Sequence, residues 1–249
     1  MFMSLKKINE RQPLVHCITN TVVTNFTANG LLAIGASPIM ADAIEEMTDI
    51  VSLADSLLVN IGTLNARTVA SMKAAVQAAK EKGIPVVLDP VGAGASNYRL
   101  TTSLELLETK GVMLLRCNAG ELAAIAGIEW QANGVDSGSG EANVSELAKT
   151  VAKRYGCFVI VTGAQDVLTD GNRVELVSGG NEKVTRITGT GCLLSAICAA
   201  LLASTESVMD DLHIVLKEYK QIAERAAGPI GAYQVALLNE LEQLAEVFV

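Results

Sequence analysis

An α/β fold around a mostly parallel sheet, with helices on both faces, is predicted by three features of this 249-residue sequence. Short apolar runs alternate with longer stretches of helical period. The runs at 14–19, 56–61, 85–88, 112–115 and 158–161 are continuous rather than alternating, as strands covered on both faces are. Half of the residues are hydrophobic, so the chain can bury a sizeable core.

The elements follow in order. Runs 14–19 and 56–61 supply the first strands. In 65–82, Val69, Met72, Val76 and Ala79 fall on one helical face, and Gly83 is a natural stop. Runs 85–88 and 112–115 add two more strands. Residues 127–146 are rich in Gly, Ser, Asn and Asp and read as a solvent loop. Ser145 is then placed to cap a helix with Leu147, Ala148, Val151 and Ala152 on one face. Run 158–161 is followed by 167–177, where Thr169-Asp170-Gly171-Asn172 between apolar flanks reads as a hairpin turn. The sheet therefore gains antiparallel strands late in the chain. The apolar stretch 192–203 is too short to span a bilayer, which takes about 20 residues, and reads as a buried helix. In 206–227, Val208, Leu212, Val215, Tyr219 and Ile222 share a stripe, with acids early and bases late as the helix dipole favours. The alternation resumes unchanged after 127–146, so a single domain spanning 1–249 is expected.

Composition excludes several functions. The formal net charge is −8, which disfavours a surface for nucleic acid, since that affinity comes mainly from Lys and Arg on phosphates. Nine aromatic residues are too few for base-stacking platforms. The two histidines make a multi-histidine metal site implausible. Five cysteines at irregular spacing, with no C-x-x-C, fit a reducing cytoplasm better than a disulfide framework. The first residues carry bases but no apolar segment behind them, so no signal peptide and no membrane span is expected.

Ligands of open α/β sheets bind beyond the carboxyl ends of the strands. There the sequence places Asn20, Gly62-Thr63, Asp89-Pro90-Val91-Gly92-Ala93-Gly94, Arg116-Cys117-Asn118 with Glu121, and Thr162-Gly163. No G-x-x-x-x-G-K-[ST] occurs, and neither Gly92-Ala93-Gly94 nor Gly189-Thr190-Gly191 completes G-x-G-x-x-G. The strongest local feature is Thr188-Gly189-Thr190-Gly191-Cys192, which opens the buried helix. Free N–H groups and the dipole there make an anion site suited to phosphoryl transfer, or else a purely structural turn. The dipole also favours a thiolate at Cys192. Asp89 and Glu121 are oxygen donors of the kind Mg²⁺ takes; Asp89 also suits a turn before Pro90, and Glu121 a capping box with Asn118. Arg116 can clamp a phosphate or sit in a surface ion pair. His16 reads as a hydrogen-bonded core histidine, and Met40 as core filler.

Taken together, several ordered blocks resemble the hydroxyethylthiazole kinase family. They are Pro13-Leu14-Val15-His16-Cys17-Ile18-Thr19-Asn20, Asn25-Phe26-Thr27-Ala28-Asn29-Gly30, Gly35-Ala36-Ser37-Pro38-Ile39-Met40, Asn60-Ile61-Gly62-Thr63-Leu64, Val87 to Gly94, Arg116 to Glu121, Val161-Thr162-Gly163 and Thr188 to Cys192. The blocks cover nearly the whole chain, whereas the glycine loop alone indicates only the wider ribokinase-like superfamily. The resemblance implies a ribokinase-like three-layer fold. It implies ATP-dependent phosphorylation of 4-methyl-5-(2-hydroxyethyl)thiazole in thiamine salvage, with Mg²⁺, and a homotrimer with pockets at subunit interfaces. Carried over by motif, Asn20, Met40 and Gly189 line the thiazole pocket. Arg116 and Thr162 contact ATP, and Asp89 and Glu121 handle Mg²⁺ and phosphates. Gly189, Thr190, Gly191 and Cys192 form the catalytic anion hole. Many ribokinase-like sugar kinases have an aspartate base where this chain has the Cys192 thiol. Cys117 departs from the family glycine at its position. Two alternatives remain: another ribokinase-like enzyme, such as a hydroxymethylpyrimidine kinase or a nicotinamide-repair dehydratase, and a non-catalytic sensor on the same fold. The blocks in the first 40 residues speak against the former, and intact Asp89, Arg116 and Glu121 against the latter.

Overall fold

A computed structural model of the chain describes residues 4–128 and 139–246. Its strands are β1 (Leu14–Ile18), β2 (Ser37–Ile39), β3 (Ser56–Asn60), β4 (Val86–Asp89), β5 (Leu114–Asn118), β6 (Phe158–Thr162), β7 (Gln165–Thr169) and β8 (Val174–Ser178). They form one sheet in the order β2-β1-β3-β4-β5-β6-β7-β8. The first six are parallel, and β7 and β8 pair antiparallel through the predicted hairpin.

Among the described residues, five helices cover one face: α1 (Ser4–Arg11), α2 (Thr24–Ala33), α8 (Thr190–Leu202), α9 (Val208–Arg225) and α10 (Ile230–Glu246). Five cover the other: α3 (Met47–Leu53), α4 (Ala66–Lys82), α5 (Asn97–Glu108), α6 (Ala119–Ala126) and α7 (Ser139–Tyr155). The continuous apolar strands follow from this sandwich. In β3, Leu58 packs under α8 while Leu57 and Val59 pack on the opposite layer, and all three are fully buried. A strand with a single covered face would keep only alternate apolar residues.

The predicted helix at 65–82 is α4. Asn65 caps it through Thr68, and Gly83 closes it at φ 80°. Two expectations need correction. Residues 139–146 of the predicted loop are the first turns of α7, so Ser145 lies inside the helix and does not cap it. Polar composition masked a helix whose apolar stripe begins only further along. Residues 129–138 of that loop lie outside the described residues. The run read as 112–115 is a strand that starts two residues later and continues through Arg116 to Asn118. In addition, β2 was not foreseen, because Ser37-Pro38-Ile39 is short and only partly buried at the sheet edge, where proline is tolerated.

From β1 the chain moves outward to β2, then crosses back to place β3 on the other side of β1. The switch point of the sheet therefore lies between β1 and β3, and a crevice opens beyond their carboxyl ends. No described helix is long and apolar enough to cross a membrane.

Candidate active site

The end of β3 meets the end of β1 at this crevice. Asn60 is buried there, and its Oδ1 accepts from Asn20 Nδ2 at 2.9 Å and from the Gly62 amide at 3.0 Å. Its Nδ2 donates to Asp89 Oδ2 at 2.9 Å, at the end of β4. Asn20 Oδ1 in turn accepts from the Val22 amide at 3.2 Å, and its Nδ2 also reaches Cys192 Sγ at 3.6 Å. The two amides thus hand one line of hydrogen bonds from the first loop to the carboxylate in the middle of the sheet.

Asp89 is wholly buried. Its Oδ2 accepts from Ser195 Oγ of α8 at 2.8 Å and lies 3.8 Å from Arg116 Nη1 of β5. Its Oδ1 is buried with no hydrogen-bond partner. Burial raises the Asp89 pKa, and the neighbouring Arg116 charge offsets part of that rise. Arg116 is no surface ion pair: its side chain is 12% exposed, its Nη2 donates to Thr162 Oγ1 at 2.5 Å, and its buried Nε has no partner. An unpaired acceptor and an unpaired donor at one buried spot are unusual in a folded interior, where polar groups are normally satisfied.

The helix that closes the site behaves as its sequence suggests. Gly189 stands before α8 at φ 96°, and a Cβ there would come 2.8 Å from Val23 Cγ1, so only glycine fits. A Cβ on Gly191 would sit 2.6 Å from Arg116 Nη1, so this glycine lets the guanidinium lie against the first helical turn. The amides of that turn have no intrahelical acceptor, and they point to the rim. Thr190 is tied down from behind by its Oγ1 on the Val184 carbonyl and by Tyr219 OH on its own carbonyl at 2.8 Å.

Cys192 does not have the acidified thiol that its place at a helix start suggests. Burial, followed by the nearby Asp89 charge, pushes it up to about 11. Its half-buried sulfur lies near a carboxylate, and both burial and that charge disfavour the thiolate.

Glu121 does what its spacing allowed. Oε2 accepts from the Asn118 amide at 2.9 Å and Asn118 Oδ1 from the Glu121 amide at 2.9 Å, a complete capping box for α6. Oε1 takes the Gly92 amide at 2.8 Å, so the same carboxylate fixes the loop after β4. Burial raises its pKa, and these two amide bonds oppose the rise.

Beside Arg116 opens a cleft of about 680 Å³. Asn118, Thr162 and Gly163 floor it, residues 179–182 with Val184 and Thr185 wall it, and Thr190, Gly191, Tyr219 and Lys220 close it. Asn20, Met40, Gly189, Cys192, Asp89 and Glu121 are not among its lining residues. The predicted residues therefore fall into two groups joined through Arg116 and Asp89. Met40 directly follows β2 on the same rim, half-buried against the core cluster that holds α8, and shares no polar contact with the others. His16 is the core histidine expected, with Nε2 2.9 Å from the Ala41 carbonyl.

Sequence reasoning gave no role to Asn60, Ser195, Asp166, Tyr219 and Lys220. Asn60 was legible as a polar residue inside the apolar run 56–61. Ser195, in the second turn of an apolar helix, was the one polar break there. The others approach the site only through the packing of α9 and the β6–β7 turn.

The comparisons with known proteins show the family. The profile of the hydroxyethylthiazole kinase family matches residues 5–247. A hydroxyethylthiazole kinase of Lysinibacillus sphaericus is 51% identical, covering 98% of this chain and 97% of its own. The solved hydroxyethylthiazole kinase of Pyrococcus horikoshii superposes with a TM-score of 0.86 at 41% identity, over 97% of this chain and 92% of that one. A ribokinase-like superfamily protein of Enterococcus faecalis, at 13% identity and a TM-score of 0.65 over 93% and 87% of the two chains, shares the fold. The chain thus has a ribokinase-like fold and belongs to the hydroxyethylthiazole kinase family, a family of enzymes that phosphorylate a thiazole alcohol.

Proposed function

We propose that the chain transfers the γ-phosphoryl group of ATP to the hydroxyl of 4-methyl-5-(2-hydroxyethyl)thiazole, giving the thiazole phosphate and ADP in thiamine salvage. The observation that carries the proposal is the meeting of Arg116, Asp89 and the first turn of α8 between the two groups of site residues. Phosphoryl transfer asks a protein mainly to position its reactants and to stabilise charge. Arg116 supplies a fixed cation with a free Nε donor, and Thr162 holds its fork. The amides of Thr190, Gly191 and Cys192 face the rim as an anion hole, and the bare Gly191 lets a phosphate approach. Asn20, Met40 and Gly189 would hold the thiazole so that its hydroxyl meets Cys192.

The donor set fits Mg²⁺. Asp89 Oδ1 is an unpartnered oxygen, and Glu121 is a second carboxylate beyond the same strand ends. Among the described residues no group of three or more His, Cys, Asp and Glu could hold a metal ion. That suits a cation that takes one or two carboxylates and completes its shell with waters and phosphate oxygens. When bound, Mg²⁺ neutralises charge on the transferring phosphates. Asp89 would hold it from the sheet side and Glu121 from the α6 side.

We further place the enzyme in a homotrimer with shared thiazole pockets and in the cytoplasm. The first is supported by Met40 directly following the edge strand β2, with Val22 and Leu32 exposed in neighbouring segments at 67% and 58%. The second is supported by five free thiols.

Incubating folded protein with the thiazole alcohol and excess ATP–Mg²⁺ should give thiazole phosphate in the mass spectrum, and a pyrimidine alcohol should give far less. Absence of thiazole phosphate refutes the activity.

A further inference from the structure

Lys220 lines the nucleotide cleft, where a lysine is expected to meet phosphate. Its surroundings argue otherwise. The side chain, 11% exposed, rises from α9 with its Nζ at 3.2 Å from Asp166 Oδ1, 3.3 Å from the Gly163 carbonyl and 3.2 Å from the Gly179 carbonyl. An ammonium has three N–H donors, so each is already matched to an oxygen of this chain. A phosphate could be bound only by giving one of them up.

These oxygens belong to two different segments. Gly163 follows Thr162 in the β6–β7 turn, and Gly179 follows the end of β8. Asp166 closes the first segment on itself by accepting from the Gly163 amide at 3.0 Å, so both polar groups of Gly163 are held by the Lys220–Asp166 pair. One turn further along α9, Glu224 Oε1 accepts from the Gly180 amide at 2.7 Å. Gly179 and Gly180 have φ 109° and 93°, and a Cβ on Gly179 would lie 2.8 Å from Glu224 Oε1, so this wall is seated directly on α9. Tyr219, the neighbour of Lys220, holds the start of α8 through the Thr190 carbonyl. One end of α9 therefore joins the floor, the wall and the anion-hole helix of the cleft.

We propose that Lys220 is a positioning residue that sets the nucleotide cleft by tying the β6–β7 turn to the segment after β8, and that it does not bind phosphate itself. The proposal rests on the reading of this cleft as the ATP site. Its effect on nucleotides passes through the seating of Gly163 and Gly179, which line the floor and the wall of the cleft. A loosened cleft should weaken every adenine ligand by the same factor, whereas a lost phosphate ligand should weaken them in proportion to their phosphates.

The test measures dissociation constants of adenosine, AMP and ADP by calorimetry for the wild type, Lys220→Met and Glu224→Ala, with steady-state kinetics in parallel. If the wild type binds no adenine nucleotide, the ATP-site reading fails, and Lys220 has no cleft to position. With a binding wild type, Lys220→Met should weaken all three ligands alike, by about tenfold, equal to about 1.4 kcal/mol. KM for ATP should rise similarly, with kcat and KM for the thiazole within about twofold. Glu224→Ala frees the same wall at Gly180 without touching the ammonium, and should show the same uniform pattern more weakly. Weakening that grows from adenosine to ADP, or unchanged affinity in Lys220→Met, overturns the proposal. If Lys220→Met fails to fold, the Glu224→Ala series decides, and unchanged adenosine and ADP affinities there overturn it equally.

Discussion

Replacing Gly191 by alanine puts a methyl group where the Arg116 guanidinium now lies. Gly191 is the second residue of α8 and has an ordinary helical backbone, so alanine brings no backbone strain. It even favours the helix, by up to about 1 kcal/mol on intrinsic propensity. The new Cβ would stand 2.6 Å from Nη1, 2.7 Å from Nη2 and 2.9 Å from Cζ of Arg116. Comfortable carbon contacts begin near 3.5 Å, so the guanidinium must recede by about 1 Å. That shift breaks the 2.5 Å hydrogen bond to Thr162 and lengthens the 3.8 Å pair with Asp89. Misplacing a reacting or clamping group by about 1 Å can cost on the order of 100-fold in rate. We therefore expect kcat/KM for ATP to fall about 10- to 100-fold, or roughly 1.4–2.7 kcal/mol. The melting temperature should move little, because the displaced group is the free end of a long side chain. Gly231 is the control: it lies in α10 with open space around its missing Cβ, and Gly231→Ala should leave the kinetics unchanged. The assay is coupled ADP release with ATP varied at saturating thiazole, together with thermal melting of each variant. A Gly191→Ala enzyme within twofold of wild type in kcat/KM for ATP would refute the placing of Arg116 at the phosphates.

Four other outcomes are expected. A thiol pushed up to about 11 is roughly one part in ten thousand thiolate at pH 7, so alkylation of Cys192 should be slow there and accelerate as pH rises toward 11. Cys192→Ser should keep measurable turnover, and Cys192→Asp should be at least as active, since a carboxylate there can take the hydroxyl proton; complete loss in both with folding intact would contradict this. Asp89→Asn should lower kcat and raise the Mg²⁺ concentration needed for half-maximal rate, because it removes a hard charged oxygen and turns an amide toward Asn60 Nδ2; an unchanged Mg²⁺ titration would remove Asp89 from the metal. Light scattering should give roughly three times the chain mass, as a closed cyclic assembly requires, and a fully active monomer would exclude shared pockets.

What the sequence made legible was whatever local chemistry decides. The continuous apolar runs marked β1, β3, β4 and β6 to within a residue or so, because burial on both faces leaves no place for polar alternation. Asn65 and Gly83 marked α4, and Asn118 with Glu121 marked the start of α6, because caps are short-range hydrogen bonds. The edge strand β2 escaped, since an edge needs little burial and holds a proline. The first turns of α7 escaped, since their polar residues resemble a loop until Val151 and Ala152 supply the buried face. The site divides in the same way. Gly189 and Gly191 were legible as glycines at a helix start. That Gly191 makes room for Arg116, some 75 residues earlier in the chain, is a fact of packing that no local window holds.

The thiol is where local and global reasoning parted most clearly. A helix N-terminus argues for a thiolate at Cys192. The same fold, however, buries the sulfur and places the Asp89 carboxylate nearby, and both disfavour a second negative charge. On the proposed reading the carboxylate serves the phosphates and the cation, and the thiol is not needed as an anion. A thiolate in that corner would also repel the incoming phosphates that the α8 amides attract. A neutral thiol that accepts from Asn20 adds no such repulsion and still fills the space where the proposed function puts the acceptor hydroxyl. In a loose transition state the attacking hydroxyl has barely begun to lose its proton when the phosphoryl group leaves ADP. The early part of the barrier then depends on Arg116, the cation and the anion hole, and a base helps only late. On this account the chain keeps its catalytic power in fixed positive groups and backbone dipoles, so that a thiol in a position suited to a base is compatible with turnover.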